Sequence, residues 1–318
     1  MKILLATDGS QYSELAAKFL TCLNLSFDDE ITIFHVVYWI PFLYDKESYF
    51  GALKAIKEEI APKVVDSVLD ILKDVKAKIS TAIIDGSPEQ CIVDVAAESD
   101  MDLIVMGARG ITGIRSFLIG SVTNSVALSA SKPVFITKPP GCNKSKNLKI
   151  LFATDGSDHS IATGKLLSEI PFPENTEITI LNVTRPAFWD IPALSPEINE
   201  KMLEIADQAK AMEIMNSERI IEQAREYLRG RFNNINVLSK EGDPSTESLE
   251  TSEELKTDII AVGCRGLRGI KGMMGSVSRN ILTHSKSSVL IGKTCKIVMR
   301  STILSSDRPS SLPKTRSS

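Results

Sequence analysis

The chain has 318 residues, of which 43% are hydrophobic and 24% charged, with a net charge of −3. That length suits two domains better than one, and the near-neutral balance lacks the basic signature of a nucleic-acid or membrane-surface binder. Five cysteines (Cys22, Cys91, Cys142, Cys264, Cys295) stand far apart with no CxxC pair, which argues against a disulfide framework or a zinc knuckle and for reduced thiols in a cytoplasmic protein.

In chain order, KILLATDGS at 2–10 opens with a short apolar run, a buried parallel strand over 2–7 rather than a signal peptide. Leu15, Ala16, Phe19, Leu20 and Leu23 place a helical stripe on 11–23. A β-rich segment follows at 31–37. It contains His35, which reads as a satisfied core or edge histidine, because His35, His159 and His284 share no metal-ligand spacing. Val64, Val65, Val68, Leu69, Ile71, Leu72 and Val75 predict a helix over 62–77 with Pro62 in its first turn. A strand at 79–84 leads to Ser87-Pro88-Glu89-Gln90, an N-cap with a capping-box partner. The copy closes with a strand at 103–106, a helix at 121–130 and a strand at 134–137.

The pattern then starts again. KILLATDGS recurs as KILFATDGS (149–157), ITIFHV (31–36) as ITILNV (178–183), DLIVMGARG (102–110) as DIIAVGCRG (258–266), and GSVTNSV (120–126) as GSVSRNI (275–281). Four matches in one order at offsets of 147 to 156 mark a duplicated domain, too long for a solenoid unit. The expected division is 1–140, a linker at 141–148 within a Pro-, Gly- and Lys-rich stretch, 149–294, and a Ser-rich disordered tail at 295–318. Asp243-Pro244 stands where Ser87-Pro88 does in the first copy, and a longer helix is expected at 196–229, with Met202, Ile205, Ala209, Met212, Ile220, Ala224 and Tyr227 as its apolar positions. Alternating βαβ units predict an α/β fold of two tandem, doubly wound, parallel five-stranded sheets.

In such sheets ligands sit beyond the carboxyl ends of the strands, where strand order reverses. Two strand ends carry unusual residues: Thr7-Asp8-Gly9-Ser10, repeated as Thr154-Asp155-Gly156-Ser157, and the Gly-rich loops GARGITGIRSFLIGS (107–121) and GCRGLRGIKGMMGS (263–276). Glycines admit a phosphate to the backbone, and the free N–H groups and dipole of the helix that follows favour an anion. Arg109, Arg115, Arg265 and Lys271 could add charge, and Ser121 and Thr123 hydroxyl donors. Each feature also has a plain structural reading: Asp8 as a turn-former, Gly107 and Gly110 as strand-exit glycines, Arg115 as a solvated arginine. Neither a Walker A sequence nor GxGxxG follows the first strand.

At these loops the chain resembles the universal stress protein family. Its ATP-binding members carry G-x2-G-x9-G followed by Ser or Thr, a spacing that Gly107, Gly110, Gly120 and Ser121 match in full, together with ATDGS at the first strand end. The resemblance implies an adenine-nucleotide alpha-hydrolase-like, Rossmann-like fold whose two copies pack as an internal pseudo-dimer through their fifth strands. It implies that Thr7 and Asp8 lie at the adenine or ribose end of ATP, that the backbone at Val36 and Val37 holds adenine, and that Gly107, Arg109, Gly110, Gly120, Ser121, Val122 and Thr123 surround the ribose and phosphates, with Mg²⁺ or Mn²⁺ accompanying them. The same roles pass to Asp155, Val183, Gly263, Arg265, Gly266, Gly275, Ser276, Val277 and Ser278. There the loop holds eight residues, not nine, between Gly266 and Gly275, a shortening able to misplace Gly275 and Ser276, while Gly269 and Gly272 add glycines.

The residues contain no nucleophile–His–Asp pattern and no protein metal site. The expected function is an ATP-binding stress or signalling protein without strong catalysis, slow hydrolysis remaining open. A nucleotide-independent interaction module and an ATP-using transferase are the alternatives. The protein partner is unidentified, and a homodimer of the internal pair stays open.

Overall fold

The computed structural model describes residues 1–38, 55–110, 119–141, 147–185, 196–267 and 274–294, with the side chains of 196–204 excepted. The expected tail, Arg115, Lys271, Gly269 and Gly272 lie outside these residues. In the first copy β1 (Lys2–Thr7), β2 (Glu30–Tyr38), β3 (Lys78–Gly86), β4 (Leu103–Gly107) and β5 (Val134–Thr137) alternate with α1 (Gln11–Leu20), α2 (Ala61–Leu72, preceded by a π turn at Ile56–Ile60), α3 (Pro88–Glu98) and α4 (Ser121–Ser129). The second copy contains β6 (Lys149–Ala153), α5 (Asp158–Glu169), β7 (Glu177–Thr184), α6 (Pro196–Leu228), β8 (Asn234–Glu241), α7 (Pro244–Leu255), β9 (Ile259–Gly263), α8 (Ser276–His284) and β10 (Ser288–Gly292).

The ten strands form one sheet in the order β3-β2-β1-β4-β5-β10-β9-β6-β7-β8. Every pairing is parallel except the central β5–β10 contact, where Val289, Leu290 and Ile291 face Ile136, Phe135 and Val134. The expected pair of doubly wound, five-stranded sheets is therefore present, fused edge to edge. Strands β1, β4, β6 and β9 are almost wholly buried, as continuous apolar runs between two helical layers demand. One face packs Phe19, Leu20, Val68, Leu72, Leu167, Ala224 and Leu228 against the sheet. The other packs Ile92, Ala96, Val126, Ala127, Ile281 and Leu282. Strand order reverses at the β1–β4 and β6–β9 neighbours, which fixes where each crevice opens.

Three local expectations are revised. Helix α2 ends at Leu72 rather than 77: a turn in which the Val75 N–H donates to the Leu72 carbonyl ends it, and residues 73–77 lead into β3. Ser87 occupies the N-cap of α3 but its side chain caps nothing, whereas Asp243 accepts from the Ser245 and Thr246 amides at the start of α7. The apolar positions of α6 do not form one core stripe. Ile220 and Ala224 are buried, but Met212 is 72% and Ile205 49% exposed, and no side chain from 205 to 216 is buried. Among the described residues no helix is long and apolar enough to cross a membrane.

Candidate functional site

Each crevice is built by two strand ends meeting. After β1, Gly9 adopts φ +79°, a left-handed conformation in which a side chain is strained. The turn is closed by Asp8, whose Oδ1 accepts the Ser10 N–H at 3.0 Å. Ser10 caps α1, accepting the Ser13 N–H at 3.2 Å, and donates its hydroxyl to the Arg109 carbonyl at 3.4 Å, tying the turn to the Gly-rich loop. Thr7 is buried and its hydroxyl serves this turn, donating to Ser13 Oγ at 3.1 Å and accepting the Gly9 N–H at 3.3 Å. The second copy repeats the arrangement: Asp155 Oδ1 accepts the Ser157 N–H at 3.0 Å, and Ser157 donates to the Arg265 carbonyl at 3.1 Å.

The loop glycines separate into three kinds. A Cβ on Gly107 would stand 2.6 Å from the Tyr12 backbone, and on Gly263 2.7 Å from the Ser160 nitrogen, so packing of α1 and α5 on the strand ends excludes side chains there. A Cβ on Gly110 or Gly266 would stand 2.5 Å from the carboxylate of Asp8 or Asp155. Gly120 and Gly275 differ. Both have ordinary extended backbone (φ −62° and −66°), and the nearest atom to a Cβ on Gly275 is 3.5 Å away, an unstrained contact. At Gly120 that distance is 3.3 Å, a mild crowding. Backbone packing thus accounts for Gly107 and Gly263, closeness to a carboxylate end favours glycine at 110 and 266, and neither reason reaches Gly120 and Gly275.

Gly120 and Gly275 are also the N-cap positions of α4 and α8, where glycine supplies no capping side chain. Their own amides bond Ala108 and Cys264 carbonyls at 2.9 and 2.8 Å, pinning the loop ends. The shorter second loop therefore ends in the same anchor, and Gly275 and Ser276 are not displaced from it. The hydroxyl of Thr123, expected to face a ligand, donates to the Gly107 carbonyl at 2.8 Å; Ser278 does the same to Gly263 at 2.6 Å. Both are buried braces between strand and helix. Ser121 is exposed and Val122 half-buried, and Ser276 and Val277 repeat the pair, exposed and half-buried.

Val36 and Val37 lie past the last β1–β2 pair, Thr7 with His35, and pair only on their β3 side. Val183 extends beyond the β6–β7 register in the same way. These overhangs lie at the carboxyl ends of β2 and β7, beside the ends of β1 and β6. His35 Nδ1 lies 2.8 Å from the Thr7 carbonyl, a satisfied histidine on an interior strand, and Asn182 takes its place in the second copy, donating to the Thr154 carbonyl at 2.7 Å.

The arginines differ between copies. Arg109 lies 5.6 Å from the Tyr12 ring centroid and donates to its hydroxyl at 3.2 Å. At the equivalent place His159 replaces Tyr12 and Cys264 replaces Ala108. Arg265 directs Nε and Nη2 at His159 Nε2, at 3.2 and 2.8 Å, while Cys264 Sγ and the Thr294 amide stand 3.3 and 3.1 Å from Nδ1. Burial, then the Arg265 cation, hold the imidazole below its ordinary pKa, and burial pushes the Cys264 thiol up. A neutral ring is required, because an imidazolium has no lone pair for Arg265. The spacing of histidines did not point to His159; the repeat offset does, since it aligns His159 with Tyr12. Among the described residues no three His, Cys, Asp or Glu side chains gather into a metal cage.

A family model described as "Universal stress protein family" matches residues 1–138 and again 146–293. A universal stress protein of Methanocaldococcus jannaschii is 34% identical over 140 residues, covering 44% of this chain and 82% of that protein. One from Mycolicibacterium smegmatis is 23% identical over 301 residues, covering 91% and 96%. A crystal structure of a universal stress protein from Archaeoglobus fulgidus matches with a TM-score of 0.62 at 20% identity, over 92% of this chain and 98% of that one.

Proposed function

Because the chain belongs to the universal stress protein family, we propose that it binds an adenine nucleotide, ATP in the first instance, at the crevice of the first copy, and that occupancy sets a conformation read by a protein partner. The two copies act as domains, 1–140 and 149–294, in a cytoplasmic protein. The observation that carries this reading is the pair Gly120 and Gly275. Their backbone conformation is open to any residue and Gly275 has room for a methyl group, yet both are glycine, and both stand at the N-caps of helices that begin where the Gly-rich loops end. An N-cap favours glycine over alanine but favours Ser, Asp or Asn at least as much; a ligand approaching the first amides of these helices is a reason to have no side chain at all. Dipole stabilisation of one charge is about 0.3–1 kcal/mol, so Arg109 and several amides act together. Adenine would lie against the Val36–Val37 overhang, and Asp8 at the ribose. A divalent ion would ride on the phosphates and water, as Mg²⁺ commonly does.

The second copy binds more weakly in this reading, because Arg265 is engaged by His159. Calorimetric titration of nucleotide-stripped, folded protein with ATP and Mg²⁺ should give saturable binding with a dominant site. A flat titration overturns the reading. Combining Gly120→Ala and Gly275→Ala should weaken binding about tenfold, a loss of about 1.4 kcal/mol, with the protein still folded; unchanged affinity would remove the glycine argument.

A further inference from the structure

Two lysines cross between the copies. Lys138 follows β5, and Lys293 follows β10. Each is 8% exposed, an unusual burial for this residue type. Lys138 Nζ donates to the Leu282 and Ser285 carbonyls, both at 2.7 Å. These are the last turn and C-cap of α8 in the second copy. Lys293 Nζ donates to the Ala127 carbonyl at 2.9 Å and to the Ala130 carbonyl, the last turn and C-cap of α4 in the first. The arrangement is reciprocal to the residue: 127 and 282, 130 and 285, and 138 and 293 are each 155 apart.

The opposite ends of the same helices are the candidate sites. Helix α4 has nine residues from Ser121 to Ser129, about 13 Å at 1.5 Å per residue. Its amide end meets the Gly-rich loop of its own copy, and its carbonyl end is held by the other copy. Orphan carbonyls at a helix end attract a cation, as orphan amides attract an anion. Burial lowers both lysines to about 8, with Arg109 adding repulsion at Lys138. Even an uncharged amine retains two hydrogens, one for each carbonyl.

We infer that Lys138 and Lys293 are positioning residues acting in trans: Lys293 sets the anion-binding end of α4 in the first copy, and Lys138 that of α8 in the second. The proposal rests on the nucleotide reading above for its ligand, and on the hydrogen bonds alone for its geometry. Through this link each site reports on the integrity of the other half, so the two are one coupled unit.

Hydrogen exchange read by peptide mass spectrometry separates the two helices. In ligand-free full-length protein, Lys293→Met should speed exchange across 119–130 and leave 274–285 unchanged; Lys138→Met should do the reverse. With ATP and Mg²⁺, Lys293→Met should weaken the first site about tenfold, while Lys138→Met leaves it within twofold. Lys293→Gln, which loses the charge but keeps an N–H donor, should fall between, and circular dichroism checks that each variant folds. Effects confined to the mutated lysine's own copy, or equal in both helices, overturn the proposal. If wild-type protein binds no nucleotide, the functional reading fails while the exchange pattern still decides the coupling.

Discussion

The two crevices share a frame and differ in what holds the arginine. In the first, Arg109 rests on Tyr12, a neutral ring whose hydroxyl accepts one bond. In the second, Arg265 is bound by the His159 imidazole, whose other ring nitrogen stands 3.3 Å from Cys264 Sγ. The frame itself, made of the Asp turn, the strand-exit glycine and the hydroxyl brace from α4 or α8, is duplicated nearly bond for bond. Duplication has thus kept what folds the mouth and changed what lines it. Burial and the Arg265 cation hold His159 below its ordinary pKa, which ties the second mouth to acid pH.

The strongest way to break the claim of a common frame is to crowd it. Gly107→Ala and Gly263→Ala each force a methyl group to within 2.6 and 2.7 Å of backbone, and each should cost about 1–3 kcal/mol in urea unfolding. A large difference between the two would show that the frames are not equivalent. Next comes the alkaline limb. Lys138 and Lys293 titrate near 8 in the folded protein, against 10.5 for an ordinary lysine. Between these values the unfolded chain holds protons that the folded chain has released, so stability should rise with pH, by up to about 1.4 kcal/mol per pH unit for each lysine. Urea midpoints at pH 7.5 and 9.5 test this, and the double Met variant should be flatter.

Gly275→Ala is expected to be milder than Gly263→Ala. The backbone is permissive and the methyl has room, so it should cost only the roughly 0.5–1 kcal/mol by which alanine is worse than glycine at an N-cap, while nucleotide at the second mouth weakens. A thermal melt and a titration on the same sample read both effects. The smallest effect is at acid pH. His159 has a folded pKa below its ordinary value, so as pH falls through 6.5 the unfolded chain gains a proton first and stability drops. His159→Tyr, copying the first mouth, should remove that increment, and a variant that keeps the full acid sensitivity would assign it elsewhere.

Much of this was legible in the chain. The repeat offsets and the apolar runs at 2–7 and 103–106 located the parallel strands, because buried strands leave continuous hydrophobic sequence. The crevice followed, since Asp8, Gly107, Gly110 and Gly120 converge wherever strand order reverses. What stayed hidden depended on contacts between copies or on side-chain geometry. Lys138 sits at the edge of a Lys-rich stretch that reads as linker, and nothing local distinguishes it from Lys144 or Lys146 in sequence terms. Only the recurrence of VFITK as VLIGK marks it. Thr123 looked like a ligand donor, but its hydroxyl is consumed by the Gly107 carbonyl. The outward-facing apolar positions of α6 failed for a related reason: helical periodicity identifies a stripe without saying how far along the helix the sheet extends.

The antiparallel contact between β5 and β10 has one more consequence. A separate pair of identical subunits joined there would dissociate on dilution and could trade members. Covalent tethering makes the joining intramolecular, at an effective concentration independent of how much protein is present, and leaves only β3 and β8 as outer edges of the sheet. Each half then meets one fixed mate for the lifetime of the molecule. Under that arrangement a change such as Tyr to histidine has to suit a single neighbour, which frees the halves to specialise without losing their fit.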